Sequence, residues 1–165
     1  MLQAGELVNV SFDWIRQPYG AAPEEFGAVE QLFGVTLPSD YREFATAMAG
    51  GMPANMTDFE FLQPNGNPFH GCIGTIMSLK SEGSYSIKVK TALLGDWLPK
   101  RIVPVIEDPA GSFICLDYSQ ADVPCVSFWR HDRKGFDDEL SVVAPSFSAF
   151  LAMFHDPDPS EDEEA

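Results

Sequence analysis

Between Arg101 and Asp132 the chain reads RIVPVIEDPAGSFICLDYSQADVPCVSFWRHD, and no other stretch constrains the fold as tightly. Three runs rich in Ile, Val, Phe and Trp read as strands, at about 102–107, 112–118 and 124–130. Four residues, Asp108–Gly111, separate the first two, and Asp-Pro-Ala-Gly has the chemistry of a tight turn. A parallel pair needs a crossover of a dozen residues or more. The connections are too short for that, so the three strands are expected to pair antiparallel.

Upstream, the periodicity is helical. In PEEFGAVEQLFG, Phe26, Val29 and Phe33 share a face, with Pro23 and two acids at the start and Gly34 just past the end. In LPSDYREFATAMAGG, Leu37, Tyr41, Phe44, Ala45 and Met48 recur at one helical face; Pro38 opens the segment and Gly50 and Gly51 close it. Two helices, about 24–33 and 38–49, are predicted, joined by GVTL. Ser11 is expected to cap a short helical turn through Trp14 and Ile15. DFEFL and CIGTIMSLK read as strands, the second weakened by Gly74. For SEGSYSIKVKTALLGDWLP a helix is favoured, capped by Ser84, ended by Gly95, with Tyr85, Val89, Ala92 and Leu93 on one face. LSVVA reads as a short edge strand. PSFSAFLAMF reads as a closing helix with Phe147, Phe150, Leu151 and Phe154 aligned. Helices, then adjacent strands, then a last helix predict an α+β fold: one mainly antiparallel sheet flanked by helices.

The chain has 165 residues, 45% of them hydrophobic, with 13 Phe and 3 Trp. That is enough for one domain with a substantial core, placed at 1–155. The last ten residues, DPDPSEDEEA, hold six of the 25 acids and no base; 156–165 are expected to be a disordered acidic tail. The rest still carries 19 acids against 10 bases, a net of −9 out of the total −15. Direct nucleic-acid binding is disfavoured, because phosphate contacts need Lys and Arg. The same field favours a basic protein partner. Three cysteines without a CxxC do not form a disulfide framework. The N-terminus lacks the pattern of a signal peptide, and no apolar run reaches membrane-spanning length. A cytoplasmic protein with no membrane partner is expected.

No pattern for catalysis or a cofactor stands out. GxxxxGK[ST], GxGxxG, HExxH and GxSxG are all absent. His70 and Cys72 in HGC are the only seed of an enzyme, since an imidazole beside a thiol can make a nucleophile pair or half a metal site. Cys115 and Cys125 fall in predicted strands and read as core. Asp117 reads as a turn former. No cofactor, metal site or catalytic residue is predicted, and the chain reads as a non-enzyme.

Several of these segments, taken in order, resemble the SUKH superfamily of Smi/Knr-like domains. VEQLFGVTLPSDYREFATAMAGG, residues 29–51, is similar to its signature, in which an acidic helix runs into Leu-Pro, Tyr and Phe and then a Gly pair. LPKRIVPVIEDPAGSFICLDY, VPCVSFWRHD and VAPSFSAFLAMF resemble its later strands and closing helix. The resemblance spans about 24–154; the Asn before the Gly pair is missing, and 52–97 match poorly. It implies an α+β sheet-and-helix fold. It also implies an immunity protein that binds and neutralises a polymorphic or contact-dependent toxin, a nuclease by family habit, or else a regulatory adaptor of the same fold. Candidate binding residues are the acids of loops and strand ends, Asp58, Glu60, Glu107, Asp108, Asp122, Asp132, Asp137, Asp138 and Glu139, with Trp97 and Trp129 as exposed apolar anchors.

Overall fold

The computed structural model describes residues 12–54 and 57–154. Five strands form the main sheet in the order β5 (Thr75–Ile76), β6 (Ile102–Glu107), β7 (Phe113–Asp117), β8 (Cys125–Trp129) and β9 (Leu140–Ala144). Every neighbouring pair is antiparallel. The three strands expected from 102–130 are all present, and LSVVA is an edge strand as expected. Two antiparallel ribbons accompany the sheet: β1 (Trp14–Arg16) with β2 (Met52–Pro53), and β3 (Asp58–Leu62) with β4 (Pro68–Cys72). The described residues also form four α-helices: α1 (Pro23–Phe33), α2 (Ser39–Met48), α3 (Ile87–Leu94) and α4 (Phe147–Leu151), with a 3-10 turn at Gly95–Trp97.

The family-like segment 29–51 makes a corner between α1 and α2. Gly34 ends α1 in the left-handed conformation, at φ 68°. The Gly34 and Val35 N–H groups both return to the Glu30 carbonyl. The Glu30 carboxylate then accepts the Leu37 N–H at 2.8 Å. Across the fold, the Tyr118 hydroxyl donates to the Thr36 carbonyl at 2.7 Å. Asp40 links α2 to α4: one carboxylate oxygen accepts the Ser148 N–H and hydroxyl at 2.8 and 2.9 Å. Tyr41 and Phe44 meet Phe147 edge-on, with centroids 5.3 and 5.2 Å apart. Phe147, Phe150, Leu151 and Phe154 are all buried, as their spacing predicts.

The Gly-Gly pair does more than end a helix. α2 leaves through an extended Ala49, and only Gly50 is left-handed, at φ 85°. A Cβ on Gly50 would strike the Tyr19 ring, and one on Gly51 would strike Trp14. Both rings occupy the space a side chain at these positions would need.

Four expectations need correction. Trp14 and Ile15 are in a strand, not a helical turn; the chain alternates there, with Trp14 inward and Ile15 outward, and pairs with β2. Ser11 lies outside the described residues, as does the 156–165 tail. CIGTIMSLK is not one strand. Cys72 ends β4, and Gly74 turns the chain so closely over the Glu107 carbonyl that a Cβ there would sit 2.8 Å away. Pro68–Cys72 was not expected as a strand at all. Finally, α3 is capped by Ser86, whose hydroxyl accepts the Val89 N–H, and its inward residue is Ile87. Ala92 and Leu93 face outward, one step round from the predicted face.

Candidate functional site

All five residues of β7 are buried, and so are Ile102–Ile106 of β6, so the sheet centre is covered on both faces. Register puts Phe113, Cys115 and Asp117 directly opposite Trp129, Ser127 and Cys125. Trp129 therefore corrects the sequence reading: it is fully buried and stacks on Phe113 with centroids 5.8 Å apart. Its indole N–H donates to Glu139 at 3.1 Å. An alternation that would expose one face of an open sheet here feeds two cores. Asp117 lies in the same interior. It accepts the Ser119 N–H and hydroxyl on one oxygen and the Ser127 hydroxyl on the other, so a buried carboxylate is fully bonded within the fold.

The candidate acids fall into three places. Asp122 sits beyond the end of β7, paired with Arg101 at 2.9 Å. Arg101 itself holds φ 61°, which puts it among the few residue positions where a side chain meets left-handed strain. Asp58 and Glu60 lie on the β3–β4 ribbon, where Glu60 meets His70 Nδ1 at 3.2 Å. The remaining six, with Trp97, gather at the opposite sheet end from Asp122, where the β6–β7 turn and the β8–β9 loop emerge.

At that end most carboxylates are engaged. Glu107 pairs with Lys90 at 3.6 Å. Asp108 closes its own turn by accepting the N–H groups of Ala110 and Ser112. Asp138 bridges Arg130 and Arg133 at 3.1 and 2.9 Å. The Arg133 hydrogen bond, above all, holds the Asp138 carboxyl below its usual range. Glu139 accepts from Trp129, the Gly135 N–H and Lys134. Burial pushes its pKa up, but these donors outweigh burial and leave it lowered. Arg130 also reaches Gln63 at 2.9 Å and lies over the Phe69 ring at 4.4 Å. Asp132 and Asp137 are exposed and carry no ion pair among the described residues.

Trp97 is 47% exposed, as an anchor should be. Its indole N–H donates to the His131 carbonyl at 2.8 Å, and Lys134 Nζ donates to the Trp97 carbonyl at 2.8 Å. Two further residues of this end escaped the sequence reading. Phe136 is 58% exposed under the Arg133 guanidinium, and Asp96 is exposed beside Trp97. A Phe inside the polar loop KGFDDE was the available signal.

The His70–Cys72 pair does not build an activated thiol. Burial, then the carboxylates of Asp58 and Asp108, push the Cys72 thiol up, away from the thiolate that a nucleophile or metal ligand needs. Among the described residues, no group of three or more His, Cys, Asp or Glu side chains is placed to hold a metal ion. No helix among them is long and apolar enough to cross a membrane.

An antiparallel sheet closed by the α1–α2 corner and the α4 phenylalanines is the architecture expected of the SUKH superfamily. Residues 20–153 match the SMI1/KNR4 family (SUKH-1), and the chain belongs to that family. It is also 24% identical over 160 residues to YokK, an SPbeta prophage-derived uncharacterized protein of Bacillus subtilis (strain 168). That alignment covers 88% of this chain and 81% of the relative.

Proposed function

We propose that this protein is an immunity protein that binds a cognate toxin and blocks it, the toxin being a basic domain, in the first place a nuclease. The observation that carries the reading is membership of the SUKH-1 family across residues 20–153. The excess of acids supports the partner's chemistry. A net of −15 attracts a surface evolved to hold phosphates, and such a field speeds encounter. Inhibition is by occupancy: the domain covers the toxin's basic surface and transfers no chemical group. The proposed place of action is the cytoplasm, where a nuclease toxin meets nucleic acid.

The test is protection. A cognate toxin domain, sought among the products of the neighbouring genes, is expressed in cells with and without the full chain. Survival only with the chain, together with an isolable one-to-one complex, is the expected result. Loss of viability in both cultures, with no complex formed by the inactivated toxin, would overturn the reading.

A further inference from the structure

The proposed function leaves open which surface holds the partner, and the loop end of the sheet has the properties of such a surface. We infer that the 3-10 turn Gly95–Trp97 and the β8–β9 loop, residues 130–139, form one docking platform. Its occupant is the cationic face of a globular protein. The inference rests on the toxin-binding reading for the partner's identity.

The first argument is apolar surface held in one place. Trp97, on the 3-10 turn, and Phe136, on the β8–β9 loop, are large aromatic rings open to solvent. Each is fixed from behind. Trp97 is held by its bond to the His131 carbonyl, by Lys134 on its own carbonyl, and by the Lys134 ammonium 5.7 Å from its ring. Phe136 lies 4.1 Å beneath the Arg133 guanidinium. A shallow groove of about 360 Å³ runs beside it, lined by Pro64, Asn65, Arg133, Phe136, Asp137 and Asp138. Exposed aromatics that are already ordered lose little freedom on binding, which is what an interface anchor requires.

The second argument is charge. The loop's three bases, Arg130, Arg133 and Lys134, are each taken up by a carboxylate of the same loop, Asp138 or Glu139. The carboxylates left facing outward are Asp132 and Asp137, joined by Asp96 beside Trp97. The surface offered to a partner is thus two rings among acids without an ion pair among the described residues, on a molecule of net −15. A second copy of this chain would bring the same sign of charge and is disfavoured. A partner presenting Lys and Arg around an apolar centre is complementary.

The third argument is rigidity of the whole loop. Its turns are closed by backbone bonds from Arg133 to Arg130, Phe136 to Arg133 and Glu139 to Phe136. Gln63 ties it to the β3–β4 ribbon through Arg130. The bases therefore stabilise the platform and do not compete for the partner's acids.

Two full-length variants test this against the inactivated cognate toxin domain, by surface plasmon resonance at several salt concentrations. Trp97→Ser with Phe136→Ser removes the rings. Asp96→Asn with Asp132→Asn and Asp137→Asn removes the outward charge and touches no bond of the loop. The ring variant is expected to weaken binding about 100-fold, mainly by faster dissociation. The charge variant is expected to slow association about tenfold at low salt and to flatten its salt dependence. If the unaltered chain binds and both variants bind within threefold of it, the platform is wrong while the toxin-binding reading stands. If the unaltered chain itself does not bind, both fail together. A circular dichroism spectrum and melting temperature matching the unaltered chain establish that each variant is folded.

Discussion

The α1–α2 corner and the β8–β9 loop are each organised by acidic residues whose oxygens close several bonds, and they present opposite surfaces. At the corner, Glu30 fixes the chain between two helices, and the aromatic rings that follow, Tyr41 and Phe44, turn inward onto Phe147. In the loop, Asp138 and Glu139 fix the chain, and Phe136 turns outward, with Trp97 of the neighbouring 3-10 turn beside it. The corner carries the first part of the family resemblance, and its Glu30, Gly34, Tyr41 and Phe44 all serve the fold. Residues 133–139 of the loop lie between the resembling segments, and Phe136 there is exposed, as is Trp97 beside the loop. Membership of a fold family is thus written in residues that build the sheet's support, and recognition is free to vary where the strands end.

If the corner is architecture, cutting its aromatic cluster should be the most damaging change to stability. Phe147→Ala removes the ring shared by Tyr41 and Phe44 and should cost about 3–5 kcal/mol. Urea denaturation followed by tryptophan fluorescence measures it. A loss below about 1 kcal/mol would mean that the corner is looser than its packing indicates.

Glu30→Ala is next. It leaves the partly buried Leu37 N–H without its carboxylate acceptor and should cost about 1–3 kcal/mol. Gly34→Ala should cost about 1–2 kcal/mol. No atom lies within 4 Å of an added Cβ there, so the penalty isolates the left-handed backbone at φ 68° from any clash. The same denaturation curves report both. A Gly34→Asn variant that recovers part of the loss would sharpen the assignment to conformation, since Asn visits that region more readily than Ala.

The parts legible in the sequence are those where one local period or one turn decides the outcome. DPAG leaves no chain for a crossover, so antiparallel pairing of β6 and β7 followed. The spacing of Phe147, Phe150, Leu151 and Phe154 has only one helical reading. Where two readings shared the same residues, position drifted: α3 starts from Ser86 because Ser86, not Ser84, reaches the Val89 N–H. β1 and β2 are three and two residues long, too short for any period to show. The site was legible as a set of acids but not as a surface. Whether an acid faces a partner depends on bonds between distant residues. Trp97 meets His131 across 34 positions, and Arg130 meets Gln63 across 67. Trp129 misled for a related reason. In a sheet covered on both faces, alternation no longer separates inside from outside.

The smallest effect belongs to the loop, and it concerns pH. Asp138 has its pKa lowered in the folded state, first by the Arg133 hydrogen bond and then by the charges of Arg133 and Arg130. A carboxyl that is more acidic when folded contributes stability above its unfolded pKa, about 3.9, and loses it as pH falls through the folded value. Asp138→Asn should therefore be slightly less stable than the unaltered chain at neutral pH, and the gap should close on acidification below about pH 4. Because Asp138 is partly open to solvent, the gap should also shrink in high salt. Hydrogen exchange reads the same change locally: the amides of 130–139 should exchange faster in the variant at neutral pH, while those of the α1–α2 corner keep their protection. A gap that persists unchanged into acid would show that Asp138 holds the loop by shape and neutral hydrogen bonding, not by charge. The rings of Trp97 and Phe136 would then keep their positions at low pH, and the contrast between an inward-facing corner and an outward-facing loop would no longer depend on ionisation.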